Sequence, residues 1–212
     1  MFKSAKATIR NNPVSNLTLF GQTVTPEAMS FREDFTLIAY FFKPYSLLSL
    51  FGVNARELTD KPIDLNLLNP RKTTTLEERL LNSGTVERMV TLLDRYVLSL
   101  IDNKRTENAM IRYAATKIAS NPSKKILALV QKEIYTTERT FERMFEKNIG
   151  VGPNLYRRIC QFNSAFQQLN TRNFNKLSDI AFNNGFADQS HYIRSFKEFT
   201  SITPKEFLNF GQ

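Results

Sequence analysis

The sequence predicts a mainly α protein. A small α+β region over residues 1–105 precedes an all-α domain over residues 106–212, in which two helix-turn-helix motifs are joined by a long helix. Three observations predict this. Before Pro44 the apolar residues come in short β-branched or continuous runs, and from Tyr45 onward they recur at three- and four-residue steps. Asp102-Asn103-Lys104-Arg105 is a polar break in that helical pattern. After the break, a short apolar helix followed by a capped second helix occurs twice, on either side of one long periodic run.

In the first region, Leu17-Thr18-Leu19-Phe20-Gly21-Gln22-Thr23-Val24 is β-branched and partly alternating, and Pro26 ends it, so it is expected as a strand. Phe35 to Phe42 is an apolar run stopped by Lys43-Pro44, which suits a buried strand better than a helix. Two or three strands are too few to close a barrel. If the sheet is that short, part of this run stays exposed and favours a dimer or an intramolecular contact. Leu47, Leu48, Leu50 and Phe51 then mark a helix up to Gly52, with Asn54 to Leu58 following. Leu76, Leu80 and Leu81 mark another, closing at Gly84. Val86, Met89, Val90, Leu93, Tyr96, Val97, Leu100 and Ile101 mark a longer one.

In the second region, Met110, Tyr113, Ala114 and Ile118 form an apolar stripe ended by Asn121-Pro122. Ser123 is expected to cap the helix of Ile126, Leu127, Leu129 and Val130. Thr136-Thr137 precede a helix from Glu138 closed by Gly150. Pro153 suits the first turn of the long helix, with Leu155, Ile159, Phe162, Phe166 and Leu169 on one stripe. Leu177, Ile180, Ala181 and Phe182 mark a short helix ending near Asn184-Gly185, and Asp188 caps the next. Thr203-Pro204-Lys205-Glu206 is a capping box opening the last.

Composition narrows the chemistry. The longest apolar stretch is far below the roughly 18 residues that span a bilayer, so no membrane partner is expected. MFKSAKATIR has charges with no apolar run behind them, so no secretory signal is expected. One cysteine, Cys160, excludes an intramolecular disulfide and fits a reducing cytoplasm. With one His, one Cys and no Trp there is no Cys/His metal cluster, and no metal or cofactor is expected. No Gly-rich phosphate loop, HExxH or plausibly spaced Ser-His pair occurs, so an enzyme is not expected. The net charge is +9, of which residues 106–212 supply +6, with 15 basic and 9 acidic side chains. A nucleic-acid-binding module requires such an excess, although mildly basic proteins are common.

On a helix of 100° per residue, Phe141, Met144, Phe145 and Asn148 share one side, and Arg139, Glu142, Arg143 and Glu146 the other. Over 188–199, Tyr192, Phe196 and Phe199 share the core face and leave Gln189, Ser190, His191, Arg194 and Ser195 outward. Aromatic anchors behind and Arg, Gln and Glu in front suit a helix that reads base edges. The second set, Ile180-Ala181-x-x-x-Gly185-Phe186-x-Asp188-Gln189-Ser190-His191-Tyr192-x-x-x-Phe196-Lys197 with Thr203-Pro204, closely resembles the second motif of AraC-type bacterial transcription regulators. Arg139-x-Phe141-x-Arg143-x-Phe145 with Gly150-Val151-Gly152-Pro153-x-x-Tyr156 resembles the first motif and its exit. The first motif departs at Tyr135, where the family usually has a turn glycine, and at Gln131, where it prefers alanine. Gly21-Gln22, Phe42-Lys43-Pro44, Leu50-Phe51-Gly52 and Asp64-Leu65 more weakly resemble the regulatory region of some AraC-type proteins.

The resemblance implies a sequence-specific regulator that reads two successive major grooves of double-stranded DNA, about 34 Å apart, with helices near 137–148 and 188–199. It carries the groove-facing positions onto Arg139, Glu142 and Arg143, and onto Gln189, Ser190, Ile193 and Arg194, with His191 adjacent. Arg suits guanine, Gln adenine and Glu cytosine, while Ile193 offers apolar contact to a thymine methyl. RNA polymerase, a small-molecule or protein effector at the N-terminal region, and a homodimer are the further partners expected. Against base contact, Arg139 and Arg143 could be solvated charges or pair with Glu142 and Glu146. His191 suits a phosphate or solvent contact, and Cys160 suits packing in the long helix. A second reading stays open: a protein-interaction or ligand-binding module whose DNA-binding domain is degenerate and non-specific, motivated by the turn at Tyr135 and by Glu142.

Overall fold

The structure, a computed structural model, describes residues 7–9, 11–32 and 34–209. Residues 1–6 and 10, most of the segment read for a secretory signal, lie outside the described residues. The chain forms two compact units. One holds the chain up to Thr23, Glu27–Asn108 and Lys147–Gly150. The other holds Val24–Pro26, Ala109–Glu146 and Val151 onward. The fold is mainly α with a small α+β N-terminal part.

In the first unit the strands are short: β1 (Ala7–Ile9), β2 (Asn12–Val14), β3 (Thr18–Leu19), β4 (Met29–Phe31) and β5 (Ile63–Asp64). β1 lies between β2 and β4 in one antiparallel sheet, and β3 pairs antiparallel with β5, Leu19 opposite Ile63. The helices are α1 (Leu47–Phe51), α2 (Leu65–Leu68), α3 (Pro70–Leu81) and α4 (Val86–Asp102). Leu17, Leu19, Leu47, Leu58, Leu65, Leu76, Leu80 and Leu92 bring strand, helix and turn into one core. The strand expected over Leu17–Val24 is therefore only two residues long. Beyond it the chain passes so close to Leu58 that a Cβ on Gly21 would stand 2.6 Å from the Leu58 carbonyl oxygen.

The run Phe35 to Phe42 forms no strand, contrary to expectation, because neither sheet offers it a partner. A strand needs its backbone groups paired, and without a ladder they turn to water. Phe35, Leu37 and Phe41 are accordingly 48, 67 and 97% exposed. The run is held at its end, where Phe42 packs edge-on to Phe51 at 5.5 Å and the Tyr40 hydroxyl donates to Asp94 of α4. That bond, with some burial, pushes the phenol up to about 12.

The second unit contains α5 (Ala109–Ser120), α6 (Ile126–Glu133), α7 (Glu138–Ile149), α8 (Pro153–Asn170), α9 (Leu177–Asn183), α10 (Gln189–Thr200) and α11 (Pro204–Asn209). The buried stripe of α5 is Ile111, Ala114, Ala115 and Ile118, one step round from the expected one. The two alanines let α5 approach α8, where the Tyr156 hydroxyl donates to the Ala115 carbonyl at 3.5 Å. Tyr113 stays at the surface because its hydroxyl donates to Glu133 at 2.8 Å and accepts from Lys117 at 2.8 Å. Ser123 does not cap α6 with its side chain. The N-cap is Lys125, and Ser123 contributes only its carbonyl, to the Ile126 N–H. The capping box at α11 forms as expected, Glu206 accepting from the Thr203 N–H and Thr203 Oγ1 from the Glu206 N–H.

Helix α8 is the spine of this unit. Its 18 residues extend about 27 Å. Near its start Tyr156 packs with its ring tilted against that of Phe145 of α7, centroids 5.3 Å apart. Toward its end Ala165 and Leu169 join Ile180, Ala181, Phe186, Tyr192 and Phe196 in one core. Among the described residues, no helix is long and apolar enough to cross a membrane.

Candidate nucleic-acid interface

The two halves of the second unit repeat one local geometry. At the end of α6 the Ile134 N–H donates to the Val130 carbonyl, and the Tyr135 N–H donates to that of Lys132. At the end of α9 the Asn184 N–H donates to Ile180, and the Gly185 N–H to Phe182. The residue that follows each cap is left-handed, Tyr135 with φ +50 and Gly185 with φ +70. Glycine adopts that conformation freely and tyrosine does so at a cost. The first turn thus has the shape that a glycine specifies in the second. Gln131 donates weakly across it to the Thr136 carbonyl, at 3.5 Å.

Each turn leads into a capped helix. Thr137 Oγ1 accepts from the Thr140 N–H at 3.3 Å, and the Asp188 carboxylate accepts from the His191 N–H at 2.7 Å. Such caps satisfy donors that a helix start leaves unpaired. Counted from these caps, the helices are in register. Four and eight residues on stand Phe141 and Phe145 in α7, and Tyr192 and Phe196 in α10, all buried. Two, five and six residues on stand Arg139, Glu142 and Arg143 in α7, and Ser190, Ile193 and Arg194 in α10.

The arginines are the open donors of this arrangement. Arg139, Glu142, Arg143, Gln189, Ser190 and Arg194 are exposed. Arg139, Arg143 and Arg194 form no ion pair among the described residues, so pairing with Glu142 or Glu146 does not occupy the first two. Ile193 is half-buried. His191 is half-buried too, its ring edge-on to Phe186 and its Nδ1 accepting from the Ala187 N–H at 3.3 Å. Ser195, expected outward, is buried, because α10 packs against α8, α9 and α11 together. Phe182, one of the apolar residues that mark α9 in the sequence, is 84% exposed, and it occupies the place in α9 that exposed Lys132 has in α6. Lys124 and Lys125 at the start of α6 and Lys176 at that of α9 are exposed and without ion pairs among the described residues.

Two further features went unread in the sequence. Glu142 Oε1 and Glu146 Oε1 each lie 4.0 Å from where a Cβ on Gly152 would stand, at the N-terminus of α8, whose N-cap has no side-chain bond. The positive end of a helix favours such carboxylates. Within α8, the buried Arg157 donates to the Pro122 carbonyl at 3.0 Å and to Gln161 at 3.1 Å, and Gln161 donates to the Asn184 carbonyl at 2.9 Å. Burial lowers the guanidinium pKa, the neighbouring Arg158 charge adding to the effect. The polar pair at positions i and i+4 inside an apolar stripe was the available signal. Cys160 packs in the long helix as expected, and desolvation pushes its thiol up to about 11.

Residues 131–209 match the family model of a helix-turn-helix domain, from the last three residues of α6 through α11. The match is of the AraC type and spans both turns and both capped helices. No curated protein and no solved structure matches the chain.

Proposed function

Because residues 131–209 form an AraC-type helix-turn-helix domain, we propose that the protein is a sequence-specific transcription regulator that sets α7 and α10 into two successive major grooves. The observation that carries the reading is the shared register of the two capped helices. Buried aromatics stand four and eight residues past each cap, and Arg143 and Arg194 both stand six past it. An arginine there can donate two hydrogen bonds to guanine O6 and N7, and Gln189 can pair with adenine. Arg139 and Ser190 share the position two past the cap, and Lys124, Lys125 and Lys176 supply charge for phosphates. The shape of the Tyr135 turn weakens the rival reading of a degenerate, non-specific module, since it removes one of that reading's two motives.

The first unit, in this reading, senses an effector or pairs two copies of the chain, with the exposed Phe35, Leu37 and Phe41 available for contact. The regulator works in a bacterial cytoplasm and acts with RNA polymerase. Selection from a random duplex library at about 150 mM salt tests the central claim, comparing wild type with Arg194→Ala. The expected result is a two-part motif, of which the variant loses one part by about 1–3 kcal/mol per lost contact. Binding with no preference over random duplex, vanishing steeply as salt rises, would refute it.

A further inference from the structure

We propose that the buried chain Arg157–Gln161–Asn184 is a positioning tie that fixes the angle between the two helix-turn-helix motifs, and so selects the spacing of the two DNA parts. The inference rests on the two-groove reading above. Its ends are what make it more than local packing. Pro122, whose carbonyl accepts from Arg157 at 3.0 Å, stands in the loop that enters α6, the opening helix of the first motif. Asn184, whose carbonyl accepts from Gln161 at 2.9 Å, is the C-cap of α9 and begins the turn of the second motif. Arg157 and Gln161, one helical turn apart on α8, are joined at 3.1 Å, so a single hydrogen-bonded path connects both motifs through the spine. Asn184 extends the path by donating to Gln168 at 2.7 Å, and Gln168 donates to the Asn173 carbonyl at 2.9 Å, in the loop that leads to α9.

The energetics favour a fixed angle over a hinge. Arg157 and Gln161 are only 8 and 6% exposed, and Arg157 has no carboxylate partner among the described residues. Separating the motifs would leave a buried guanidinium and a buried amide without acceptors, which costs more than losing the same bonds in water. Apolar packing along α8 tolerates small sliding, whereas directional bonds to two loop carbonyls do not.

The test uses the full chain and the two-part duplex that the wild-type protein selects, with one base pair inserted or removed between the parts. One base pair turns the second part by roughly 35° about the helix axis. Wild type is expected to lose on the order of tenfold in affinity for each changed spacer. Arg157→Met is expected to lose threefold or less on the order of the same measurement, while binding a single isolated part within about twofold of wild type. Gln161→Met, which cuts the path at its other end, is expected to behave alike and carries the test if Arg157→Met does not fold. Either folded variant retaining the wild-type spacing preference, or weakening one-part and two-part duplexes equally, would overturn the tie and leave the two-groove reading standing. Failure of wild type to select any two-part site would overturn that reading, and the tie with it.

Discussion

Replacing Tyr135 by glycine is expected to stabilise the protein. Tyr135 holds φ +50 with its side chain 94% exposed, so the ring contributes almost no burial to offset its backbone conformation. A non-glycine residue in the left-handed region costs roughly 1–2 kcal/mol. Glycine returns about 0.4–1 kcal/mol of that through the greater freedom of its unfolded chain. The net gain is about 0.5–1 kcal/mol, or about 1–4 °C in Tm for a chain of this size. Gly185, at φ +70 in the matching turn, supplies the reciprocal experiment. A Cβ there would stand 3.8 Å from Gln161 Nε2, an ordinary contact, so Gly185→Ala strains the backbone alone and, with the smaller freedom of its unfolded chain offsetting part of that strain, should cost about 0.5–1 kcal/mol. Urea unfolding of the full chain, followed by far-ultraviolet circular dichroism, measures both. Loss of stability in Tyr135→Gly, or neutrality of Gly185→Ala, would refute the argument that the two turns share one conformation and differ only in how well their residue suits it.

Gly21→Ala should destabilise the first unit by about 1–3 kcal/mol, because the added Cβ meets Leu58 at 2.6 Å; an unchanged melting curve would contradict this. Tyr192→Phe should raise stability by about 1 kcal/mol in urea titration, since the buried Tyr192 hydroxyl has no hydrogen-bond partner among the described residues. Burial raises the folded Cys160 thiol to about 11 against an ordinary 9, so its contribution to stability is present below pH 9 and lost as pH rises toward 11. The unfolding free energy of wild type should therefore fall faster than that of Cys160→Ala over that interval, and parallel curves would sink the assignment. Glu142→Gln should lower stability by about 0.3–1 kcal/mol at low salt, through its loss from the α8 N-terminus, and the loss should shrink as salt is added.

The long helices were legible in the sequence because their cause is local. Val86–Asp102 and Pro153–Asn170 carry apolar residues at helical steps between Thr85 and Asn103, and between Gly152 and Thr171, and no distant partner is needed to read those bounds. The Phe35–Phe42 run failed for the opposite reason, since an apolar run becomes a strand only where a ladder partner exists far away in sequence. Ser195 and Phe182 show the limit of periodicity for a single helix. The α10 surface is covered on three sides, so a position facing outward on an isolated helix is buried, while Phe182 is apolar yet lies on a face that nothing covers. The candidate interface was readable where glycine, an acidic cap and aromatics coincide at 185–196. It was less so at the first turn, because tyrosine carries no signal for a left-handed conformation.

Glu142 shows why the two motifs need not read DNA equally. A carboxylate on a groove face can accept from cytosine N4, but it also faces the phosphates, and its attraction to one base must exceed that repulsion. The same carboxylate lies beside Gly152, where α8 has no side-chain cap, with Glu146 close by. At that helix start it is stabilising without any DNA, so its presence needs no cytosine to explain it. Arg139 and Arg143 then supply the favourable donors of the first helix, whereas the second helix offers Gln189, Ser190, Ile193 and Arg194 with no acidic residue among them. In the proposed regulator most sequence discrimination therefore falls to α10, and α7 contributes through its two arginines and through the charge around α6.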